Sequence, residues 1–165
     1  MEIAINYDYR EADMRALLDV EALAELVISR EGKPEDTEVS INFVTNEAIH
    51  ELNRDFRDVD RPTDVLSFEC DGYEGEDDLA PIEGMAFELG DIVVAPDIAE
   101  AQAPEYGLAF ADEVSLLVTH GLLHLCGYDH MEDDEAEEME ARERELLTEF
   151  WGRPFARSAA ERQDA

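Results

Sequence analysis

The chain has 165 residues, enough for one domain with its own core and no need of cross-links. Hydrophobic residues make up 45% of it, too many for intrinsic disorder, and no apolar run reaches the length of a membrane span. Against 12 Lys and Arg stand 44 Asp and Glu, a formal net charge of -32, which excludes a broadly basic surface for nucleic acid.

Ile3 and Ile5 alternate with polar neighbours and predict a first strand, after which Val20 to Val27 carry apolar residues at helical spacing. Gly32 and Pro34 end that helix. Val39-Ser40-Ile41-Asn42-Phe43 alternates as a half-buried strand, and Thr45 or Asn46 can cap a helix through Ala48, Ile49 and Leu52. Pro62 opens a strand through Val65, Leu66 and Phe68. A loop of roughly twenty residues, rich in acid and glycine, then leads to a strand at Ile92-Val93-Val94, and a loop that long is of the kind that is functional or mobile. A short helix through Ile98 and Ala101 follows Pro96. The next helix, from about Ala109 to Leu125, is apolar nearly all round and belongs in the core. A last helix from about Asp133 to Phe150 puts Met139, Leu146, Leu147 and Phe150 on one face and acid on the other. The fold class expected is α+β, a small mixed sheet packed against several helices. Residues 1–152 form a single domain in this reading, and 153–165 a frayed tail.

The first residues, Met1 to Asp8, show no basic segment followed by an apolar stretch, so a soluble, cytoplasmic protein is expected. Cys70 and Cys126 lie far apart and form neither a CxxC pair nor a secreted disulfide framework, which fits a reducing compartment. Lys33 is the one lysine, and the acid must coat a folded body that repels itself. A salt-rich cytoplasm would relieve that repulsion, because the Debye length falls to about 3 Å at molar salt.

Three of the four histidines fall within His120-Gly121-Leu122-Leu123-His124-Leu125-Cys126-Gly127-Tyr128-Asp129-His130. Residues four apart on a helix share a face, so His120 and His124 can converge on one ion. Gly127 can take the left-handed conformation that ends a helix, which lets the chain turn and bring back His130 as a third ligand. Three neutral ligands leave a tetrahedral zinc one position for water, the arrangement of a catalytic site. One Zn2+ used for hydrolysis is therefore the expectation. Cys126, two residues past His124, points to the other side of the helix and reads as a small core residue. Asp129 either orients a liganding imidazole from behind or bonds its own backbone in the turn.

The histidine spacing, with glycine three before the last, is that of the HExxHxxGxxH zinc proteases, so the zinc-site helix is zincin-like. Those proteases carry a glutamate as general base where this chain has Gly121, which neither takes nor gives a proton. Peptide hydrolysis is disfavoured, and a phosphodiester, with its easier leaving group or its own 2′-hydroxyl nucleophile, suits the site better. Phosphoryl chemistry also wants positive charge beyond the metal, and Arg54, Arg57 and Arg61 form the densest basic cluster. Each of them can equally well pair with Asp55, Asp58 or Asp60 on the surface.

The motif HGLLHLCGYDH, with RPTDVLSF and GDIVVAP earlier, resembles the YbeY endoribonucleases over roughly Phe43 to His130. The resemblance implies a zinc-dependent, single-strand-specific endoribonuclease acting in 16S ribosomal RNA 3′-end maturation and ribosome quality control. It further implies His120, His124 and His130 as the zinc ligands, and an RNA precursor with the ribosome or a ribosomal protein as partners. The family's arginine ahead of PTDVLSF corresponds to Arg57, preceded here by Phe56. The family is pictured as receiving RNA in a basic groove, from which a net charge of -32 departs. A zinc hydrolase of another substrate, such as a peptide, and a ribosome assembly factor whose zinc only holds the fold are the alternative readings.

Overall fold

Strand-forming alternation and one very apolar helix set the architecture of the computed structural model, which describes residues 1–69, 87–128 and 132–155. Among the described residues, strands β1 (Glu2–Tyr7), β2 (Thr37–Phe43), β3 (Val65–Glu69) and β4 (Phe87–Val94) form one mixed sheet in the order β1-β2-β4-β3. β1 and β4 run parallel to β2 on either side, and β3 is antiparallel to β4. The helices are α1 (Glu11–Leu17), α2 (Val20–Arg30), α3 (Asn46–Arg57), α4 (Pro96–Gln102), α5 (Phe110–Leu125) and α6 (Asp133–Trp151), with a 3-10 turn at Ala103–Tyr106. This is the α+β class expected.

The period-two pattern of β2 buries Val39, Ile41 and Phe43 on one face and turns Ser40 and Asn42 to the other. On the buried face these residues, with Ile92 and Val94 of β4, meet Leu117 and Leu122 of α5 in the main core. α2 adds Leu23 and Val27, and α6 adds Met139, Leu146 and Leu147. A helix surrounded in this way must be apolar on all sides, which explains the composition of α5. The opposite face of the sheet is covered only in part. Ile49 of α3 packs there with Val44, Leu66 and Val93 in a second, smaller core. Thr45 caps α3, its Oγ1 accepting from Ala48 N–H at 3.2 Å.

Several boundaries differ from the sequence reading for identifiable reasons. α1 buries only Met14, so it carries no periodic apolar signal. β3 begins at Val65 rather than at Pro62, because the Asp64 carboxylate takes the Val65 N–H at 2.8 Å and proline has no N–H to give. β4 begins at Phe87, five residues before its apolar run, by pairing with Thr37 and Glu38. Its register against β2 then shifts at Gly90, where φ is +144° and a Cβ would collide with the Phe68 carbonyl oxygen. Arg153 bonds Asp112 at 2.6 Å, and Phe155 is buried with its N–H on Thr148 Oγ1. The long acidic loop expected before β4 lies outside the described residues, as does Cys70.

Candidate metal centre

Helix α5 presents His120 and His124 one turn apart on a side packed by α6 and by the end of its own helix. Their rings meet edge to face at 4.5 Å between centroids, and the two Nε2 atoms lie 3.1 Å apart. The Nδ1 atoms are committed elsewhere. His120 Nδ1 donates to Glu143 Oε2 of α6 at 2.6 Å, and His124 Nδ1 donates to the Tyr128 carbonyl oxygen at 3.0 Å. A carbonyl and an ionised carboxylate only accept, so each Nδ1 carries a hydrogen and the two Nε2 atoms are left facing each other. Two Nε2 atoms at that distance hold either a shared hydrogen or a metal cation between them.

The arrangement fits a zinc ion. Two nitrogens bound to one tetrahedral zinc lie about 3.4 Å apart, close to the separation found, and each ring already has the outer hydrogen bond that zinc-binding histidines use. Among the described residues no group of three or more His, Cys, Asp or Glu side chains is placed to hold an ion. The expected third ligand, His130, and the expected orienting residue, Asp129, lie outside the described residues.

The turn after α5 is built for this geometry. Gly127 has φ +107°, its N–H returns to the His124 carbonyl and the Tyr128 N–H to that of Leu123, both at 3.0 Å. That reversal aims the Tyr128 carbonyl at His124. Deeper in α5, Gly121 sits against β4, where a Cβ would meet three Ile92 side-chain atoms at 3.0 to 3.3 Å. Two turns before His120, the buried Glu113 accepts from Gln102 Nε2 at 2.5 Å, and the same amide donates to the buried Asp64 at 2.9 Å. This amide bridge ties α5 to the start of β3 and to α4. Cys126, the C-cap of α5, is half-buried, and burial pushes its thiol up to about 11.

A groove of about 1320 Å³ runs from His124 across the part of the sheet face that α3 leaves open. His124 and Tyr128 lie at its edge, Phe56, Arg57 and Phe68 along it, and Ser40 and Asn42 on its floor. Among the described residues Arg57 is the one arginine or lysine lining it, against the five carboxylates of Glu2, Glu38, Glu69, Glu88 and Asp91. Its guanidinium donates to the Ser67 carbonyl and lies 5.2 Å from the centre of the Phe68 ring. Arg54 instead pairs with Asp55 at 3.1 Å and does not line the groove, as the surface-pairing alternative expects. Arg61 is likewise absent from the groove lining.

Glu143 was missed by the sequence reading, although it leaves a signal. It is an acid on the apolar stripe of α6, four residues after Met139 and three before Leu146, and it is only 4% exposed. The Tyr128 carbonyl leaves no such trace, since any residue has one.

The profile of the family described as Endoribonuclease YbeY matches residues 3–151. Endoribonuclease YbeY of Bacillus velezensis is 46% identical over 136 residues, covering 82% of this chain and 86% of that protein. The protein of the same name from Agathobacter rectalis is 41% identical over 158 residues, 89% of this chain and 91% of its own. The solution structure of a Thermotoga maritima protein superposes with a TM-score of 0.61 at 32% identity, covering 91% of this chain and 89% of that one.

Proposed function

Since the chain belongs to the endoribonuclease YbeY family, we propose that it is a zinc-dependent, single-strand-specific endoribonuclease of the cytoplasm, acting on the 16S ribosomal RNA precursor and in ribosome quality control with the ribosome as partner. The observation that carries the zinc is the pair of Nε2 atoms 3.1 Å apart, each on a ring whose Nδ1 is already engaged. His120 and His124 hold the ion in this reading, with His130 as third ligand. Zinc bound there supplies Lewis acidity and lowers the pKa of a nucleophilic water.

The protein's own groups supply the rest. Glu143 and the Tyr128 carbonyl keep both imidazoles in the tautomer that can bind metal. Arg57, fixed by Ser67 and Phe68, offers positive charge to a phosphate lying in the groove and steadies the charge that develops during cleavage. Gly121 keeps a protease-type general base out of the site, since its Cβ space belongs to Ile92.

The test is cleavage of single-stranded RNA, duplex RNA and peptide substrates by the zinc-loaded protein, by chelator-treated protein and by His124→Ala. Single-stranded RNA alone should be cut, and both metal removal and His124→Ala should abolish cutting. Peptide cleavage, or full ribonuclease activity without zinc, would refute the reading.

A further inference from the structure

Phe56 is 67% exposed, and with Met1 it makes up the exposed large hydrophobic side chains among the described residues. It stands on the last turn of α3 beside Arg57, and its ring meets Phe68 edge to face at 5.6 Å and 70°. Phe68 in turn carries the Arg57 guanidinium. All three line the groove that His124 borders. A phenyl ring left in water gains nothing for the fold, while one steadied by a neighbouring ring is a preformed stacking surface.

We propose that Phe56 is a base-stacking platform, which holds one unpaired nucleobase of the RNA while Arg57 takes an adjacent phosphate. The idea deepens the endoribonuclease reading and rests on it. Charge explains why a stacking contact is needed. Among the described residues, five carboxylates against one guanidinium oppose a polyanion in this groove, so a contact to the uncharged part of a nucleotide adds affinity that charge does not supply. Bases inside a duplex are already stacked on their neighbours, so a platform of this kind also selects single strands. Leu52 and Phe68 beside it keep the base against apolar surface.

The experiment uses the zinc-loaded protein and a single-stranded oligoribonucleotide, together with copies in which one abasic site is walked along the strand. Binding is measured on 2′-O-methyl versions that resist cleavage, and cleavage on the unmodified strand. Phe56→Ala should weaken binding about 5- to 100-fold and raise KM more than it lowers kcat, and Phe56→Trp should restore both. One abasic position should cost the wild type a similar factor and cost Phe56→Ala almost nothing. The wild-type salt dependence should be shallow, a log-log slope of about -0.7, as for a single phosphate contact. Unchanged binding by Phe56→Ala, equal abasic penalties in both proteins, or no binding by the wild type would overturn the platform. Cleavage that persists with a neutral Phe56 would leave the endoribonuclease reading standing alone. Phe56-dependent binding without cleavage would do the reverse.

Discussion

Glu143 Oε2 and His120 Nδ1 are 2.6 Å apart with both side chains almost wholly buried, so α6 fixes the orientation of a residue on α5. Glu143→Ala should lower zinc affinity about 10- to 100-fold, the usual consequence of losing the outer partner of a liganding histidine. Glu143→Gln, whose amide oxygen still accepts from Nδ1, should lose less. Competition against a chromogenic chelator reads both, and equal affinities in all three proteins would show that the contact does not tune the metal.

Gly121→Ala places a methyl group against Ile92 on the face where α5 meets β4. Overpacking of this kind costs about 1–3 kcal/mol, read as a lower urea midpoint at unchanged m-value. Gly121→Glu, which would restore the protease motif, should unfold the chain rather than create a peptidase.

Gln102→Leu removes the amide shared by Asp64 and Glu113 and leaves two buried carboxylates without that donor. The loss should be about 2–3 kcal/mol by chemical denaturation, with a fall in zinc affinity because α5 loses one polar link to β3 and α4. A variant as stable as the wild type would mean that the bridge is dispensable.

How much of this was legible in the sequence depended on whether the signal was periodic or spaced. The alternation of β2 and the all-round apolarity of α5 gave the sheet and its central helix. The four-residue spacing of His120 and His124 gave the paired imidazoles. What escaped was set by contacts between distant segments. Met14 is the one buried residue of α1, Phe87 joins β4 through its pairing with Thr37, and Glu143 reads as one more acid on an acidic helix until its position on the apolar stripe is noticed. Gly121 was read for the chemistry it lacks, whereas its packing against Ile92 gives a steric reason for it.

Cys126 should resist alkylation. Its thiol, held at about 11 by burial, stays protonated at pH 8, where an ordinary thiol with a value of 9.0 is partly ionised. The sign follows for stability: the fold binds this proton more tightly than the unfolded chain does. The contribution is therefore complete below pH 9.0 and disappears as pH rises toward about 11. Mass spectrometry of the peptide carrying Cys126, after timed iodoacetamide treatment, checks the first point. Rapid labelling at pH 8 would contradict it.

The excess of acid, a formal net charge of -32, should make stability rise with salt. Between 0.1 M and 1 M KCl the Debye length falls from about 10 Å to about 3 Å, so repulsion across the surface is largely screened. Tm should climb over that range by several degrees. A Tm that falls would mean that ion pairs such as Arg10 with Asp97 and Glu100 outweigh the repulsion.

The contact between α5 and α6 also has a consequence in time. Glu143 is 23 residues downstream of His120 and so leaves the ribosome later. At synthesis rates of about 5–20 residues per second, the delay is about 1–5 s. During that interval a nascent chain holds the histidines without the acceptor that orients one of them. The hydrogen bond that orients His120 therefore arrives only with α6, and a chain interrupted before it carries the motif without that contact.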